Sequence, residues 1–348
     1  MTINHKALRI GILGAANIAR QFARDVSGSE MVTLAAIASR DGAKAKEFAG
    51  AFGIAQTFAS YEAMLASADI DAIYLPLPNS MHATWAIKAA EHGKHVLCEK
   101  PLGMNGTETA AMFAAARRHK VFLLESYPYW FQPQTTAMMS FIDGNGGYEI
   151  GPLRLIQAAF GFTLQKPDGN IRMNPDLGGG ALMDAGCYPL SLISLAMRAA
   201  PVRVEAQSIY APSGVDMSTM ATLHYADGRR AQLACAMDGA NFRQALLVGA
   251  RGTLETEYLN HCSEDVAHPH GYLPSLMRLR RGIANSVPFE VITSPSGSGF
   301  RFAADAFATM VANRDQAMMD EYAAVSQNIA VTLAAIAQSA REGTSVAL

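Results

Sequence analysis

The sequence predicts an α/β protein whose first part is a doubly wound parallel sheet and whose second part is α+β with a largely antiparallel, open sheet. Three observations carry this. Up to about residue 125, strand-like runs alternate with helices of 10–15 residues, which is the βαβ pattern of a parallel sheet. After Glu125 the alternation stops and β-like runs follow one another, some joined by two-residue turns such as Asp227-Gly228. At 348 residues, half of them hydrophobic, the chain has material for about two domains with sizeable cores.

The elements follow in order. Leu8–Leu13 is an apolar run that breaks at Gly14, and Ile18, Phe22 and Val26 then recur at helical period. Met31–Ser39 is β-like, and Asp41–Phe52 is an amphipathic helix closed by Gly53. Ile54–Ala59 is a short strand, with Ser60 a cap for the helix Tyr61–Ala66. Ala72–Leu77 reads as a buried strand, Ser80–His92 as a helix stopped by Gly93, and His95–Cys98 as the fifth strand. A helix over Asn105–His119 and a strand over Val121–Leu124 complete this half.

Beyond it, a loop rich in Tyr, Pro and Gln (Tyr127–Gln134) leads to a helix near Thr135–Ile142 and a turn at Asp143–Gly147. Strands are expected at Arg154–Phe162, Val202–Ile209, Ser218–Tyr225, Ala231–Met237, Ala245–Gly249 and Gly252–Glu257. Ala181–Met197 is helix-like, with Pro189 able to kink it or move its start. Helical patterns return at Arg301–Asn313 and Asp320–Ala340. The domain boundary is placed at 125, giving domains over 1–125 and 126–348, the last helices packing back on the first.

Composition narrows the function. A net charge of −2 gives no basic footprint for nucleic acid. No uninterrupted apolar run reaches the 18 or so residues of a membrane span. The first strand starts so near Met1 that no signal peptide is expected, and a cytoplasmic protein follows. Cys98, Cys187, Cys235 and Cys262 lie far apart, without the spacing of a disulfide framework or a zinc ribbon. His261, Cys262, Glu264, Asp265, His268 and His270 are close in sequence but match no zinc pattern, so no metal is expected.

Four segments carry candidate chemistry. Gly14-Ala15-Ala16-Asn17-Ile18-Ala19 lies on the first strand-to-helix turn and reads G-x-A-x-x-A against the dinucleotide pattern G-x-G-x-x-G/A. Ala16 is the smallest substitute for the second glycine, and exposed N–H groups at the helix start can hold phosphates. A plain tight turn is the bland alternative. The second strand ends in Ser39 and Arg40, where an NAD site usually carries Asp or Glu; a hydroxyl and a guanidinium suit the 2′-phosphate of NADP. Cys98-Glu99-Lys100-Pro101 closes the fifth strand at its ligand edge, the alternative being a surface Lys100 paired with Glu99. Gly178-Gly179-Gly180 precedes Asp184 and Tyr188, which share one face of a helix, and three glycines permit close approach of a ligand. A flexible loop with an ordinary Asp is the alternative there.

On these residues the sequence resembles the glucose–fructose oxidoreductase/inositol dehydrogenase (Gfo/Idh/MocA) family over nearly its whole length. Gly93-Lys94-His95-Val96-Leu97-Cys98-Glu99-Lys100-Pro101 resembles the family's Glu-Lys-Pro signature. Arg172, Pro175 and Leu177 followed by Gly178–Pro189 resemble its dihydrodiol and xylose dehydrogenase subgroup, as do Phe160-Gly161-Phe162 and Glu125-Ser126-Tyr127. The inositol dehydrogenase branch has His where Tyr188 stands. The resemblance implies a Rossmann domain followed by a substrate-binding and dimerisation domain. It implies a catalytic set of Lys100, Asp184 and Tyr188 and a cis Lys100–Pro101 bond. It places cofactor contacts at Gly14, Ala16, Asn17, Ile18, Ser39, Arg40 and Lys44. Others fall at Leu75, Pro76, Asn79, His82, Glu99 and Lys100. Substrate contacts are implied at Tyr127, Trp130 and Arg172. The subgroup's Glu-Ala-Phe-Met-Tyr-Arg-Phe-His-Pro stretch differs here, with Trp130 for the Arg and Gln132 for the His.

The expected activity is hydride transfer between a nicotinamide, NADP(H) rather than NAD(H), and a sugar, polyol or cyclic vicinal diol. Tyr188 is the expected general base. An ordinary tyrosine titrates near 10, so half-ionisation at pH ~7.5 requires about 3.4 kcal/mol of preference for the phenolate. Lys100 and the positive nicotinamide ring are the expected sources, with Asp184 orienting the substrate or Lys100. A homodimer or dimer of dimers through the carboxy-terminal sheet is implied by the resemblance. The rival reading is a regulator of the same fold that binds dinucleotide without turnover. Retention of Lys100, Asp184 and Tyr188 together favours the enzyme.

Overall fold

The computed structural model describes residues 6–142 and 149–348, so the turn expected at Asp143–Gly147 lies outside the described residues. The chain forms two compact units: Met1–Pro128 with Phe300–Ser326, and Tyr129–Gly299 with Gln327–Leu348.

In the first unit six parallel strands, β1 (Leu8–Leu13), β2 (Val32–Ala38), β3 (Gln56–Phe58), β4 (Ala72–Leu75), β5 (His95–Glu99) and β6 (Leu123–Ser126), take the order β3-β2-β1-β4-β5-β6. The order reverses between β1 and β4, and the crevice outside their carboxyl ends is where open α/β sheets bind ligands. Both faces are covered, which is why Ile10, Ile12, Ile73 and Leu97 are fully buried. The connecting helices are α1 (Asn17–Val26), α2 (Gly42–Phe52), α3 (Tyr61–Leu65), α4 (His82–Glu91) and α5 (Gly106–Arg118). Asp41, Ser60 and Asn105 cap α2, α3 and α5 by accepting from backbone N–H groups of the first turn. Gly53 ends α2 in the left-handed conformation.

Several boundaries differ from the sequence expectation, two of them for a visible reason. A 3₁₀ turn over Asn79–Met81 takes the place of the first turn expected in the fourth helix. The sixth strand starts at Leu123 because the chain turns through a left-handed Lys120 while the Val121 N–H still bonds the Ala116 carbonyl at the end of α5.

The second unit opens with α6 (Pro133–Ile142) and β7 (Leu153–Thr163). A π-helical turn at Leu182–Gly186 runs into α7 (Cys187–Met197). Strands β8 (Arg203–Tyr210), β9 (Asp216–His224), β10 (Arg230–Ala236), β11 (Asp238–Gly249) and β12 (Gly252–Thr256) follow. Shorter strands come next: β13 (His261–Cys262), β14 (Met277–Arg281), β15 (Glu290–Val291) and β16 (Gly297–Ser298). Helices α8 (Gly299–Asn313) and α9 (Gln316–Glu342) and strand β17 (Val346–Ala347) end the chain. Nine strands form one sheet in the order β15-β14-β12-β11-β7-β10-β9-β8-β17, while β13 and β16 pair separately. The β7–β10 pair is parallel and the other pairings of this sheet are antiparallel.

One face of this sheet packs on α7, whose Leu190, Leu192 and Ile193 are fully buried. Burying each such side chain contributes about 1.5–3 kcal/mol. Pro175–Met197 is long and apolar enough in composition to cross a membrane, but 83% of its most apolar 18 residues are buried within the protein, as befits a core segment. The other sheet face is open, with Ile209 and Met220 66% and 69% exposed. Helix α8 and the start of α9 belong to the first unit: Phe300 lies edge-on to Phe22, which stacks on Tyr74 at 3.8 Å.

Candidate active site

In the first unit, backbone conformation prepares the ligand edge. Gly14 has φ +109, and its N–H bonds the Ala38 carbonyl at 2.8 Å. A Cβ there would lie 2.9 Å from Leu77 Cδ2, so both conformation and space require glycine. Ala16 begins α1 in an extended conformation with no side-chain cap, unlike α2, α3 and α5. Asn17 and Ile18 open the helix, and a bound anion can take the place of a cap on its first N–H groups.

At the end of β2, Ser39 is buried and its Oγ accepts from the Asp41 N–H at 3.2 Å, while Arg40 is exposed. Tyr61 lies beside Arg40; burial raises its hydroxyl pKa and the guanidinium opposes that rise. Lys44 is exposed, 3.9 Å from Asp41. A glycine turn without a side chain, an uncapped helix start and an exposed arginine fit an anionic dinucleotide.

Leu75 and Pro76 are buried at the end of β4, and Asn79 starts the 3₁₀ turn, half-buried. His82 is fully buried, its Nδ1 2.9 Å from the Pro101 carbonyl and its Nε2 2.8 Å from the Leu77 carbonyl. It lies between the turns after β4 and β5, and because burial lowers its pKa the neutral ring donates its one N–H to one of these two carbonyls. Glu99 accepts from the Tyr74 hydroxyl at 2.7 Å and from the Lys100 N–H at 3.3 Å. Lys100 is half-buried and precedes a cis bond to Pro101.

Beneath this turn Glu125, 1% exposed, accepts the Leu102 N–H at 2.9 Å. Burial pushes its pKa up to about 7, against the hydroxyls of Ser326 and Tyr127 and the charge of Lys100. Tyr127, expected at the substrate, is fully buried here.

In the second unit Asp184 sits in the π turn and Tyr188 in the first turn of α7. Arg172 Nε donates to Asp184 Oδ2 at 2.6 Å, so an expected substrate contact and an expected catalytic carboxylate form one ion pair. Gly179 and Gly180 approach protein, not an open ligand space. A Cβ on Gly179 would be 2.4 Å from the Arg172 carbonyl, and one on Gly180 2.2 Å from Asp216 Oδ1. Asp216 earns that proximity by accepting the Leu182 N–H at 2.7 Å, which caps the π turn.

Tyr188 is 7% exposed, and its hydroxyl accepts from Asn260 Nδ2 at 3.0 Å. Trp130, 4% exposed, donates its indole N–H to the Tyr129 hydroxyl at 3.0 Å. Gln132, in the place of the subgroup's His, is buried and donates to the carbonyls of Asn260 and Gly297 at 2.7 and 3.0 Å. Near the candidate metal segment, Tyr272 stacks between His261 and His268 at 4.8 and 4.6 Å.

Residues 8–127 match the family model of GFO/IDH/MocA oxidoreductases with an NAD-binding Rossmann fold, and residues 147–255 match the carboxy-terminal domain of that family. A D-xylose 1-dehydrogenase (NADP(+)) of Haloferax volcanii is 33% identical over 98% of this chain and 100% of its own. The chain belongs to the GFO/IDH/MocA family. A trans-1,2-dihydrobenzene-1,2-diol dehydrogenase of Xenopus tropicalis is 32% identical over 72% of this chain and 75% of its own. Among solved structures, a 3-ketoreductase from Actinomadura kijaniata in complex with NADP and TDP-benzene superposes with a TM-score of 0.81. It is 28% identical over 96% of this chain and 98% of its own.

For this GFO/IDH/MocA protein, sequence reasoning missed Tyr61, Glu125, Asp216, Arg243 and Asn260. Glu125 and Asp216 carry a weak signal, being acidic residues at strand ends beside apolar runs. Arg243 and Asn260 carry none, because their partners lie in distant segments.

Proposed function

We propose that this protein is an NADP(H)-dependent oxidoreductase that moves hydride between the nicotinamide and a carbinol carbon of a sugar, polyol or cyclic vicinal diol. The observation that carries the reading is the Tyr188 hydroxyl, nearly buried on a core helix and accepting a hydrogen bond from Asn260. Such a donor favours the phenolate and leaves the hydroxyl able to exchange a proton with substrate. A bound nicotinamide supplies the hydride acceptor in one direction and the donor in the other.

Tyr188 takes the substrate hydroxyl proton as the carbinol is oxidised and returns it in the reverse reaction. Asp184, fixed by Arg172, orients substrate hydroxyls. In the first unit Gly14, Ala16, Asn17 and Ile18 hold the pyrophosphate and Ser39 and Arg40 the 2′-phosphate. Lys100, half-buried before the cis bond to Pro101, presents its ammonium group at the ligand edge of β5.

The open sheet face is covered by a second copy of this chain. Glu205, Gln207 and Ile209 alternate along it on β8, opposite Met220 of β9, with Glu255 and Arg278 further across. A face carrying both signs of charge beside exposed apolar side chains suits a two-fold contact.

Titration of NADPH and NADH fluorescence with the purified protein, followed by a panel of aldoses, ketoses and cyclic diols, tests the function. Tight NADPH binding with turnover on a panel member is the expected result. Binding without turnover on any member would favour a dinucleotide sensor. Sedimentation of the protein alone tests the dimer.

A further inference from the structure

Tyr188 is embedded in a cluster that none of its expected partners accounts for. The guanidinium of Arg243, on β11, lies 4.5 Å from the Tyr188 ring centroid, 4.7 Å from that of Tyr258, 4.9 Å from Phe160 and 5.6 Å from Tyr129. A cation enclosed by four aromatic faces is held by their quadrupoles. No carboxylate pairs with it among the described residues, and its Nε is buried without a hydrogen-bond partner. Its Nη2 donates to Asn260 Oδ1 at 3.0 Å.

That contact decides which way the Asn260 amide faces. A guanidinium can only donate, so the oxygen of Asn260 must lie toward Arg243 and its NH₂ toward Tyr188, 3.0 Å from the hydroxyl oxygen. The Asn260 backbone is fixed as well, its carbonyl accepting from Gln132 Nε2 at 2.7 Å and from the Gly299 N–H at 2.9 Å.

We propose that Arg243 and Asn260 are positioning residues for Tyr188, a cation and an oriented amide that hold its oxygen in place and favour its ionised form. Both effects have one sign, since a donor to the oxygen and a positive charge against the ring each stabilise the phenolate over the phenol.

Other titratable groups in this cluster include the hydroxyl of Tyr129, its ring 6.3 Å from that of Tyr188, and the hydroxyl of Tyr258, beside which lie the thiols of Cys187 and Cys235. Burial raises the pKa of Tyr129, Tyr258 and Cys235, which keeps them neutral near pH 7. Asp184, one turn earlier, is paired with Arg172.

The inference rests on the reading of Tyr188 as the base, and two measurements separate them. The first is the pH profile of kcat/KM for carbinol oxidation in the wild type, Tyr188→Phe, Asn260→Asp and Arg243→Met. Asn260→Asp is nearly isosteric, puts an acceptor against the Tyr188 oxygen and neutralises Arg243. Its acidic limb is expected to move up by at least about one pH unit, a loss of about tenfold on the acid side, with the rate recovering toward wild type at high pH. Arg243→Met is expected to shift the limb the same way, and Arg243→Lys to restore part of it.

The second measurement is an ultraviolet difference titration of the protein without substrate, wild type minus Tyr188→Phe, repeated in the Asn260→Asp background. It follows ionisation of Tyr188 whether or not catalysis uses it. A profile and titration in Asn260→Asp that superimpose on wild type overturn the proposal, as does a rate lost equally at every pH. Wild-type turnover by Tyr188→Phe overturns the base reading alone, and the titration still decides whether Asn260 and Arg243 govern that hydroxyl.

Discussion

The two units prepare their ligand edges by different means. In the first, the work falls on the main chain: Gly14 takes φ +109 where a Cβ would strike Leu77, and α1 starts without a cap. His82 is buried between the carbonyls of two turns. In the second, Tyr188 is set by side chains from the 129–132 turn, β7, β11 and the segment after β12. Main-chain sites bind by exposed N–H groups and tolerate change elsewhere. Side-chain clusters tune the chemistry of one atom and depend on every member.

The sharpest way to break that contrast is Tyr188→Phe. Turnover is expected to fall about 10²- to 10⁴-fold while NADPH affinity, which belongs to the first unit, stays as in wild type. A loss of NADPH binding in the same fluorescence titration would contradict the division of labour.

Glu125→Gln comes next, because Glu125 is where the first unit does rely on a buried side chain. The carboxyl titrates at about 7 in the fold, above the 4.5 of an ordinary glutamate, so the unfolded chain releases its proton first as pH rises. Stability is therefore expected to be greatest below about 4.5 and to decline toward pH 7, by on the order of 3 kcal/mol. Glu125→Gln removes that decline while Oε1 can still accept the Leu102 N–H. Urea denaturation at pH 5 and 8 compares the two; parallel pH dependence in wild type and variant would show that Glu125 titrates normally.

Gly14→Ala imposes a left-handed backbone on a residue with a Cβ, a cost of about 1–3 kcal/mol. NADPH affinity is expected to weaken by roughly ten- to a hundredfold, with the Tyr188 titration unchanged. The smallest effect is expected from Arg40→Ala, roughly tenfold weaker NADPH binding against nearly constant NADH binding. Equal losses for both cofactors would move the 2′-phosphate contact elsewhere.

The contrast also explains what could be read from the sequence. Main-chain devices occupy consecutive residues, so the Gly14 turn, the cap at Ser60 and the parallel sheet are legible in the sequence. The strand pattern of β11 shows only from Ala245 onward; its first half, Asp238–Gln244, carries Gly239 and polar residues that mask it. At 3.6 residues per turn Asp184 and Tyr188 share a face. The π turn at Leu182–Gly186 changes that phase, and no residue type announces it. The glycines before it read as a ligand approach, but Gly179 makes room for the Arg172 carbonyl and Gly180 for Asp216, which lies on a segment more than thirty residues further along the chain. Arg243 and Asn260 were silent for the same reason: an arginine on a strand looks like any solvated cation until four rings close around it.

The nine-stranded sheet ends at both sides in strands of two residues, Glu290–Val291 and Val346–Ala347. So short a margin offers an incoming chain almost no ladder to extend, and one of the two carries a glutamate. Sideways polymerisation is thereby discouraged at the two places where a large sheet is most exposed to it. A broad face can stay open for a specific partner because the rims cannot zip to strangers, which is a condition for keeping such a sheet in a concentrated protein solution without aggregation.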